Sequence, residues 1–507
     1  MHGTKPASFL RVSTWICAAG FTLAAAHVML LFSSFLYKFQ GNSLFQDTWV
    51  WFAAHIEKPA SLLLYAGRFL TQFCAFPAVA TIMLLVLYGL IAWLSWRYFL
   101  QNSRFPVLAL LPALALYLAL MRMGYGVLVF RTDALVFTEP LGILSALLLF
   151  RLVQTQEHKA RLAVALLGFP LFGCYALLAL LIHAAWSLTH GTGRNRWIRP
   201  LADLLLAAAV PWVEYRLFYN HNVLRYMWFQ GAPFLDYVTN PREFLPLIAA
   251  GLLPVLFAFL SPEARKEQQI RFWQTAVTLP AGIAIVLCVY LLPYRDTLFH
   301  RQMVAERAIE RGDWDKVAER TCPPQVTNDI LISYRNCALY AQGRLEEDCL
   351  NYSFRTIPVT IGDREYSSSL LAGPTIFFYS GLLNYAARIS SEISLYANYA
   401  VDRWKCLAKV AVFNGERELA EKYLETLAHT TFHKAWSRRW RDYLTHPELL
   451  TQDPEYQLLA PLQDYEETRW MPSDNAARNV LLFYTYVPGN SPEMQTWNRA
   501  AQKMSMP

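Results

Sequence analysis

Long apolar segments follow one another through the first part of the chain and stop near Pro293. About 20 consecutive apolar residues span the hydrocarbon core of a bilayer as a helix. The pattern therefore predicts a bundle of seven or eight transmembrane helices within residues 1–293. The apolar runs lie at about residues 14–37, 73–96, 105–121, 133–150, 161–186, 200–217, 244–260 and 273–293.

Beyond Tyr294 the pattern changes to polar helices that come in pairs, each pair joined by a glycine turn. Three such turns centre on Gly312, Gly343 and Gly415, and the first two glycines are 31 residues apart. Glycine adopts the left-handed conformation of a helix C-cap at little cost. We therefore expect a soluble domain of α-helical hairpin repeats over residues 294–507, and an all-α chain.

These hairpins resemble tetratricopeptide repeats, which have about 34 residues per unit. The third pair is nearest to that pattern, and the second departs from it because Asp348 stands where a small apolar residue is expected. A general array of helical hairpins is the alternative. The matching positions of the third pair are Leu407, Ala408, Ala411, Gly415, Ala420 and Leu424.

Charge divides the chain at the same place. Residues 1–293 carry 21 Lys and Arg but 11 Asp and Glu, whereas the remainder carries 24 and 27. A charge at mid-bilayer costs roughly 3 kcal/mol or more, so thinly charged sequence suits lipid. The excess of positive charge indicates membrane lipids with anionic headgroups as partners. The soluble half has no basic cluster with interleaved aromatics, so we expect no nucleic-acid partner.

The first apolar run is too long for a signal peptide, whose apolar core has about 7–15 residues, so it predicts a retained anchor. We expect a multi-pass protein of the bacterial inner membrane. The side of the soluble domain depends on how residues 105–150 cross. Basic clusters at 194–199 and 265–271 favour a periplasmic soluble domain by the positive-inside rule, whereas the cluster at 151–161 favours a cytoplasmic one.

An amphipathic loop over residues 38–72 follows the first span and mixes aromatic with charged side chains, which is typical of an interfacial helix. Its Asp47 resembles the catalytic carboxylate that GT-C glycosyltransferases carry in their first external loop. That resemblance implies a polyprenyl-linked sugar as substrate and a carboxylate that deprotonates an acceptor or orients a metal. A solvated Asp on an interfacial helix is the alternative.

Arginines near the apolar segments are the second set of candidates. Arg68 could hold a lipid phosphate through its planar donor fork, or extend to the interface as an anchor. Arg122 and Arg131, with Asp133 and Glu139, form a charge cluster inside apolar sequence. Such residues line a substrate path or form structural ion pairs.

The sequence predicts no metal site and no identified cofactor. Its eight cysteines lack CxxC or Cys/His spacing, which argues against zinc. The GT-C resemblance alone implies a divalent metal.

The order of features also resembles an uncharacterised family of bacterial polytopic membrane proteins with a C-terminal tetratricopeptide-like helical domain. The resemblance is carried by GRFLTQFCAFP at 67–77, RAIERGDWDKVAE at 307–319 and NCALYAQGRLEED at 336–348. Two functions follow as hypotheses. One is a GT-C-like glycosyltransferase that uses a lipid-linked sugar at the periplasmic membrane face. The other is a non-catalytic scaffold whose repeats dock an envelope protein.

Overall fold

The computed structural model describes residues 5–101, 103, 105–129, 135–232, 244–261, 272–322, 327–351, 356–361, 363–397, 400–467, 495–496 and 499–500. These residues are mostly helical, which confirms the all-α class. The α-helices among them are α1 Lys5–Leu31, α2 Ser33–Gly41, α3 Trp49–Ile56, α4 Ser61–Thr71, α5 Pro77–Ser95, α6 Leu111–Met121, α7 Gly126–Val129, α8 Leu135–Leu166, α9 Gly168–Phe172, α10 Cys174–His190, α11 Asn195–Leu217, α12 Leu245–Leu260, α13 Phe272–Leu291, α14 Thr297–Glu310, α15 Trp314–Thr321, α16 Asp329–Ala341, α17 Leu345–Asp348, α18 Ser368–Tyr379, α19 Leu383–Ala397, α20 Val401–Phe413, α21 Arg417–Ala428, α22 Lys434–Thr445, α23 Pro447–Leu450 and α24 Pro454–Glu467.

Short elements of other kinds complete the secondary structure. An antiparallel hairpin pairs β1, Val359–Ile361, with β2, Arg364–Tyr366. Among the described residues, further helical turns are 3₁₀ segments at Gln72–Ala75, Pro106–Leu110, Leu224–Phe229 and Cys349–Asn351 and a π segment at Trp96–Leu100.

The chain divides into two compact units. The first comprises Met1–Leu36, Thr48–Met123 and Ala134–Tyr294, and the second comprises Tyr37–Asp47, Gly124–Asp133 and Arg295–Pro507. The main division thus falls after Tyr294, close to the change in sequence pattern. Two short segments of the N-terminal half belong to the second unit, although nothing in their composition distinguishes them from neighbouring loops.

Membrane-length helices are fewer than the sequence predicts. Among the described residues, three helices are long and apolar enough to cross a membrane, against the seven or eight expected: Val12–Leu31, Pro77–Leu100 and Val136–Gln156. Four further apolar helices have 10–17 residues: Pro106–Met121, Cys174–His190, Leu245–Leu260 and Val277–Leu291. Helices of fewer than 18 residues account for most of the shortfall, and a break within one apolar run accounts for part of it. The run at 161–186 is interrupted at Gly173, whose φ of 58° ends α9 before α10 begins.

Helix α8 bends sharply within its 32 residues. A Cβ built on Gly168 would lie 3.7 Å from Cγ1 of Val164 and 3.9 Å from Cδ1 of Leu149. A straight helix would separate Leu149 from Val164 by about 22 Å, at 1.5 Å per residue. The chain therefore reverses between them, in the basic stretch 151–160 that the sequence analysis places between two spans.

The predicted amphipathic loop 38–72 contains the two short helices α3 and α4. Thr48 caps α3, since its hydroxyl accepts a hydrogen bond from the Trp51 N–H at 3.2 Å. Trp49 and Val50 are 75% and 77% exposed at the start of α3. Exposed tryptophan and valine side chains of this kind are typical of a surface that contacts the lipid interface.

Four helical turns in the second unit have the same C-terminal geometry. Gly312, Gly343, Gly381 and Gly415 all have positive φ, between 68° and 78°. In each turn the N–H after the glycine donates to the carbonyl five residues earlier, at 2.8–3.0 Å. This is the Schellman arrangement, which satisfies carbonyls that the helix leaves unpaired. The glycine turns predicted at positions 312, 343 and 415 are present, and Gly381 adds one that the sequence analysis did not identify.

The segment Tyr37–Asp47 lies in the interior of the second unit. Phe39 is fully buried, and Lys38 Nζ lies 2.9 Å from Glu306 and 3.1 Å from Asp402. Burial alone lowers the pKa of Lys38, but the two carboxylates outweigh it and raise that pKa above its ordinary value. This segment is therefore part of the core of the helical unit.

The second insertion, which includes α7, is held in the same way. The ring of Tyr125 packs edge-on against Phe299, with centroids 4.9 Å apart, and its hydroxyl accepts a hydrogen bond from Asn328 at 3.0 Å. The side-chain amide of Asn42 donates to the Val127 carbonyl at 2.7 Å. The two inserted segments therefore contact each other within the second unit.

Candidate functional site

Arg68 lies on α4 of the first unit and is held by His55 on α3. The Nδ1–H of His55 donates to the Trp51 carbonyl at 2.8 Å, so its Nε2 is the acceptor. Arg68 Nη1 donates to that Nε2 at 2.7 Å. The histidine is therefore neutral, and it fixes the plane of the guanidinium.

Aromatic rings surround this pair. The guanidinium carbon of Arg68 is 5.8 Å from the centre of the Trp51 ring, within range of a cation–π contact. The Trp51 and His55 rings are 4.9 Å apart, and Tyr65 meets His55 edge-on at 5.8 Å. The cluster of Trp51, His55, Tyr65 and Arg68 thus presents an oriented, half-buried cation on a helix pair with exposed apolar residues. Such a cation is suited to a phosphate group at the lipid interface.

Asp47 belongs to the second unit. Its N–H donates to the His429 carbonyl at 2.9 Å, and its carboxylate lies 2.7 Å from Lys434 Nζ. His429 Nδ1 is 3.6 Å from the other carboxylate oxygen. The hydrogen bond from Lys434 is the main cause that lowers the pKa of Asp47. The carboxylate is therefore ionised at neutral pH and less basic than a free aspartate.

The predicted cluster of Arg122, Arg131, Asp133 and Glu139 is described in part. Arg122 is exposed just after α6, where its backbone N–H caps the helix by donating to Leu118 at 3.0 Å. Arg131 and Asp133 lie outside the described residues. Glu139 is buried in α8 and accepts a hydrogen bond from the Tyr175 hydroxyl.

One buried charge cluster, formed by Arg161, His183 and Asp203, escaped the sequence analysis. Asp203 is fully buried, with Oδ1 2.6 Å from Arg161 Nε and Oδ2 2.7 Å from His183 Nδ1. These residues come from α8, α10 and α11, so the cluster joins three helices of the first unit. The rule that ionisable groups within apolar segments seek partners is the signal that could have found it.

Metal binding has no obvious place in the part of the chain that is described. Within it, no group of three or more His, Cys, Asp or Glu side chains is arranged to hold an ion. Asp313, whose Asp-Trp-Asp sequence is similar to a metal-binding motif, caps α15 by accepting from the Lys316 N–H at 3.2 Å.

No curated protein and no solved structure shows significant similarity to the chain. A model of a protein family of unknown function, DUF6057, matches residues 8–494, nearly the whole sequence. The residues that carry the earlier family resemblance all lie within this match. The chain therefore belongs to the DUF6057 family of unknown function.

Proposed function

We propose that this chain is a GT-C-like glycosyltransferase that takes a polyprenyl-linked sugar at the periplasmic face of the bacterial inner membrane. The oriented guanidinium of Arg68, on a helix pair with an exposed apolar surface, is the observation that carries the proposal. A lipid-linked sugar has a phosphate at the membrane interface and an apolar tail in the bilayer. Arg68 is suited to the phosphate, and Trp49 and Val50 are suited to the surrounding lipid.

Asp47 is the proposed carboxylate of this reaction. Its contacts with Lys434 and His429 favour the ionised form, which could accept a proton from an acceptor hydroxyl or hold a divalent metal. Because the Lys434 contact also reduces its basicity, Asp47 has to leave that ion pair to act as a base. An exposed pair of this kind contributes at most about 1 kcal/mol, so breaking it is inexpensive.

The periplasmic location is supported by the composition of the second unit. That unit contains residues 37–47, residues 124–129 and the chain beyond Arg295. A compact water-exposed unit lies on one side of a bilayer. Even numbers of crossings then separate the three segments if the shorter apolar helices cross as well as the membrane-length ones. We propose two crossings by α5 and Pro106–Met121, and then four by α8, α11, α12 and α13.

The bend in α8 makes this arrangement agree with the positive-inside rule. After the bend, residues 161–190 leave one side of the membrane and return to it, whether or not Gly173 reaches the other face. Seven crossings then put four loops with 11 Lys and Arg on the side of the N-terminus and three loops with eight on the other side, and this excess favours a cytoplasmic N-terminus. The 11 basic residues are Arg97 and Arg104; Arg151, Lys159 and Arg161; Arg194, Arg196 and Arg199; and Arg265, Lys266 and Arg271.

The repeats of the soluble domain are proposed to be tetratricopeptide-like. Successive turn glycines at 312, 343, 381 and 415 are separated by 31, 38 and 34 residues, near the 34-residue unit of that family. The membrane domain, residues 1–293, would then be followed by a repeat domain over 294–507.

Reporter fusions test the topology. Alkaline phosphatase joined after Pro507 should be active, and the same enzyme inserted at Gly193 should be inactive. Green fluorescent protein at the two positions should give the opposite result, which controls for expression. An inactive phosphatase at the C-terminus would refute the periplasmic assignment.

Lipid binding tests the function itself. In full-length protein reconstituted in nanodiscs, Arg68→Ala should weaken the binding of undecaprenyl phosphate at least tenfold, because a charged hydrogen bond contributes about 1.5–3 kcal/mol. Lys58→Ala, on the same loop, is the matched control and should bind normally. Equal affinities for Arg68→Ala and wild type would contradict the proposal.

The envelope scaffold remains a second candidate because the hairpin array has an open groove. The groove is lined by residues of α21 and of the inserted segment: Gln46, Glu418, Glu421, Lys422, Glu425, Thr426 and His429. Its acidic side chains would suit a basic segment of a protein partner. If the scaffold is correct, Glu421→Lys should abolish function in cells while Arg68→Ala and Asp47→Asn retain it. The enzyme hypothesis predicts the reverse.

A further inference from the structure

The hydrogen bond between Arg68 and His55 fixes where the proton of the histidine lies. The His55 ring is buried and both of its nitrogens are engaged. Nδ1–H donates to the Trp51 carbonyl at 2.8 Å, and Nε2 accepts from Arg68 Nη1 at 2.7 Å. A protonated imidazole has an N–H on each nitrogen and no acceptor. A proton on Nε2 would therefore face the Arg68 N–H, and this contact excludes it.

The charge of Arg68 opposes a second proton on His55 as well. A neighbouring positive charge disfavours the charged form of a histidine, whereas an anion held by the guanidinium offsets that charge and favours it. The side chains around the ring are Trp51 of α3 and Tyr65 and Arg68 of α4, and Glu57 and Lys58 are exposed just after α3. Among these, Arg68 carries the charge that contacts the ring. The ligand that Arg68 holds therefore decides whether His55 takes a proton near neutral pH, where histidine ordinarily titrates.

We propose that binding of a lipid phosphate at Arg68 is coupled to the uptake of one proton by His55. The inference rests on the proposed function, in which Arg68 receives that phosphate. The anion takes the place of His55 Nε2 as acceptor for Arg68. His55 then gains a proton from solvent on Nε2 and donates that N–H to the phosphate. The site thus has one positive charge without the ligand and two positive charges with it.

Two positive charges match a phosphate monoester better than a diester. A polyprenyl-phosphate sugar is a diester with one negative charge, which Arg68 alone can balance. In the transfer, the bond between the sugar carbon and the phosphate oxygen breaks and its electron pair stays on that oxygen. The acceptor oxygen bonds to the sugar, and the proton of the acceptor passes to the proposed base, Asp47. The lipid left behind is a monoester, which has close to two negative charges at neutral pH. His55 therefore selects the monoester and stabilises the charge that the leaving phosphate gains.

Calorimetry of the full-length protein in phosphatidylcholine nanodiscs counts the proton. At about pH 8 free undecaprenyl phosphate has already lost its second proton, so proton uptake on binding belongs to the protein. Uptake is measured as a binding enthalpy that changes with the ionisation enthalpy of the buffer. We expect uptake in wild type and none in His55→Gln, whose amide oxygen accepts a hydrogen bond from Arg68 but does not titrate. His27→Gln, which changes another histidine of the first unit, is the matched control and should take up the proton as wild type does.

Affinity gives a second readout of the coupling. Because the complex holds a proton that the free protein lacks, binding to wild type should tighten as pH falls, by up to about tenfold per pH unit for one proton. Titration of the lipid itself affects wild type and His55→Gln equally, so the ratio of their dissociation constants isolates His55. For undecaprenyl phosphate, that of the variant divided by that of wild type should rise at least about fivefold between pH 8.5 and 6.5.

The outcomes separate this inference from the proposed function. Wild type that binds undecaprenyl phosphate without proton uptake, or a ratio that stays constant with pH, would overturn the coupling and leave the proposed function standing. Wild type that binds no polyprenyl phosphate would overturn both. A preference for the monoester over polyprenyl-phosphate hexose that is present in wild type and lost in His55→Gln would support the assignment of the charge to His55.

Discussion

Replacing Phe39 by alanine tests whether the segment after the first helix is part of the core of the second unit. The Phe39 side chain is fully buried there, and truncating such a side chain costs about 3–5 kcal/mol. Because domains are stable by about 5–15 kcal/mol, the loss is a large fraction of the total. A cost of 3 kcal/mol raises the population of the open form by roughly two orders of magnitude.

Hydrogen exchange of the full-length protein in nanodiscs is the assay. Amides of α20 and α21, over 300 residues away in sequence, should exchange roughly 100-fold faster in Phe39→Ala, provided that exchange requires opening of the unit. The control is Phe76→Ala in the first unit, where the ring is 52% exposed and the expected effect is below about 0.5 kcal/mol. Unchanged protection of α20 and α21 in Phe39→Ala would refute the placement of this segment.

Three further predictions concern other features of the two units. Burial lowers the pKa of His433 from 6.5 to about 3, so the unfolded chain takes up a proton at a higher pH than the folded one. The stability of the fold should therefore decrease as pH falls below about 6.5. In thermal unfolding series above pH 4.5, His433→Gln should reduce that decrease. Asp203→Ala removes the carboxylate that Arg161 and His183 share in the buried cluster and should cost about 3–5 kcal/mol, visible as a lower unfolding temperature, whereas exposed Asp315→Ala should change little. Gly415→Ala places a side chain at φ 73° and should cost about 1–2 kcal/mol although no atom obstructs it; an unchanged melting temperature would contradict the left-handed turn.

Local features of the fold were predictable from the sequence. The turns at Gly312, Gly343 and Gly415 depend on a glycine and its immediate neighbours, and each lies where the pattern indicated. The helical class and the end of the apolar region follow from periodicity and charge, which are also local properties. The number of membrane-length helices was not predictable from apolar composition alone, because breaks such as Gly173 depend on how neighbouring segments pack.

The features that the sequence could not predict are contacts between residues that lie far apart in the chain. Asp47 meets Lys434 across 387 residues, and Arg161 meets Asp203 through the bend in α8. Glu139 was visible as a charge in an apolar run, but its unpartnered oxygen and its contact with Tyr175 require coordinates. The candidate site residues were therefore found one at a time, and their partners were not.

The insertion of residues 37–47 into the second unit has a consequence for biosynthesis. Phe39 emerges from the ribosome some 360 residues before Asp402 and Lys405. Those two residues lie on helix α20 of the second unit, in which Phe39 is buried. At about 5–20 residues per second, this interval lasts roughly 20–70 s. During that time Lys38 lacks Asp402 and the Phe39 ring lacks its completed core. A chain that stops short of α20 therefore exposes a hydrophobic segment at the end of its first helix, which marks unfinished molecules for chaperones and proteases.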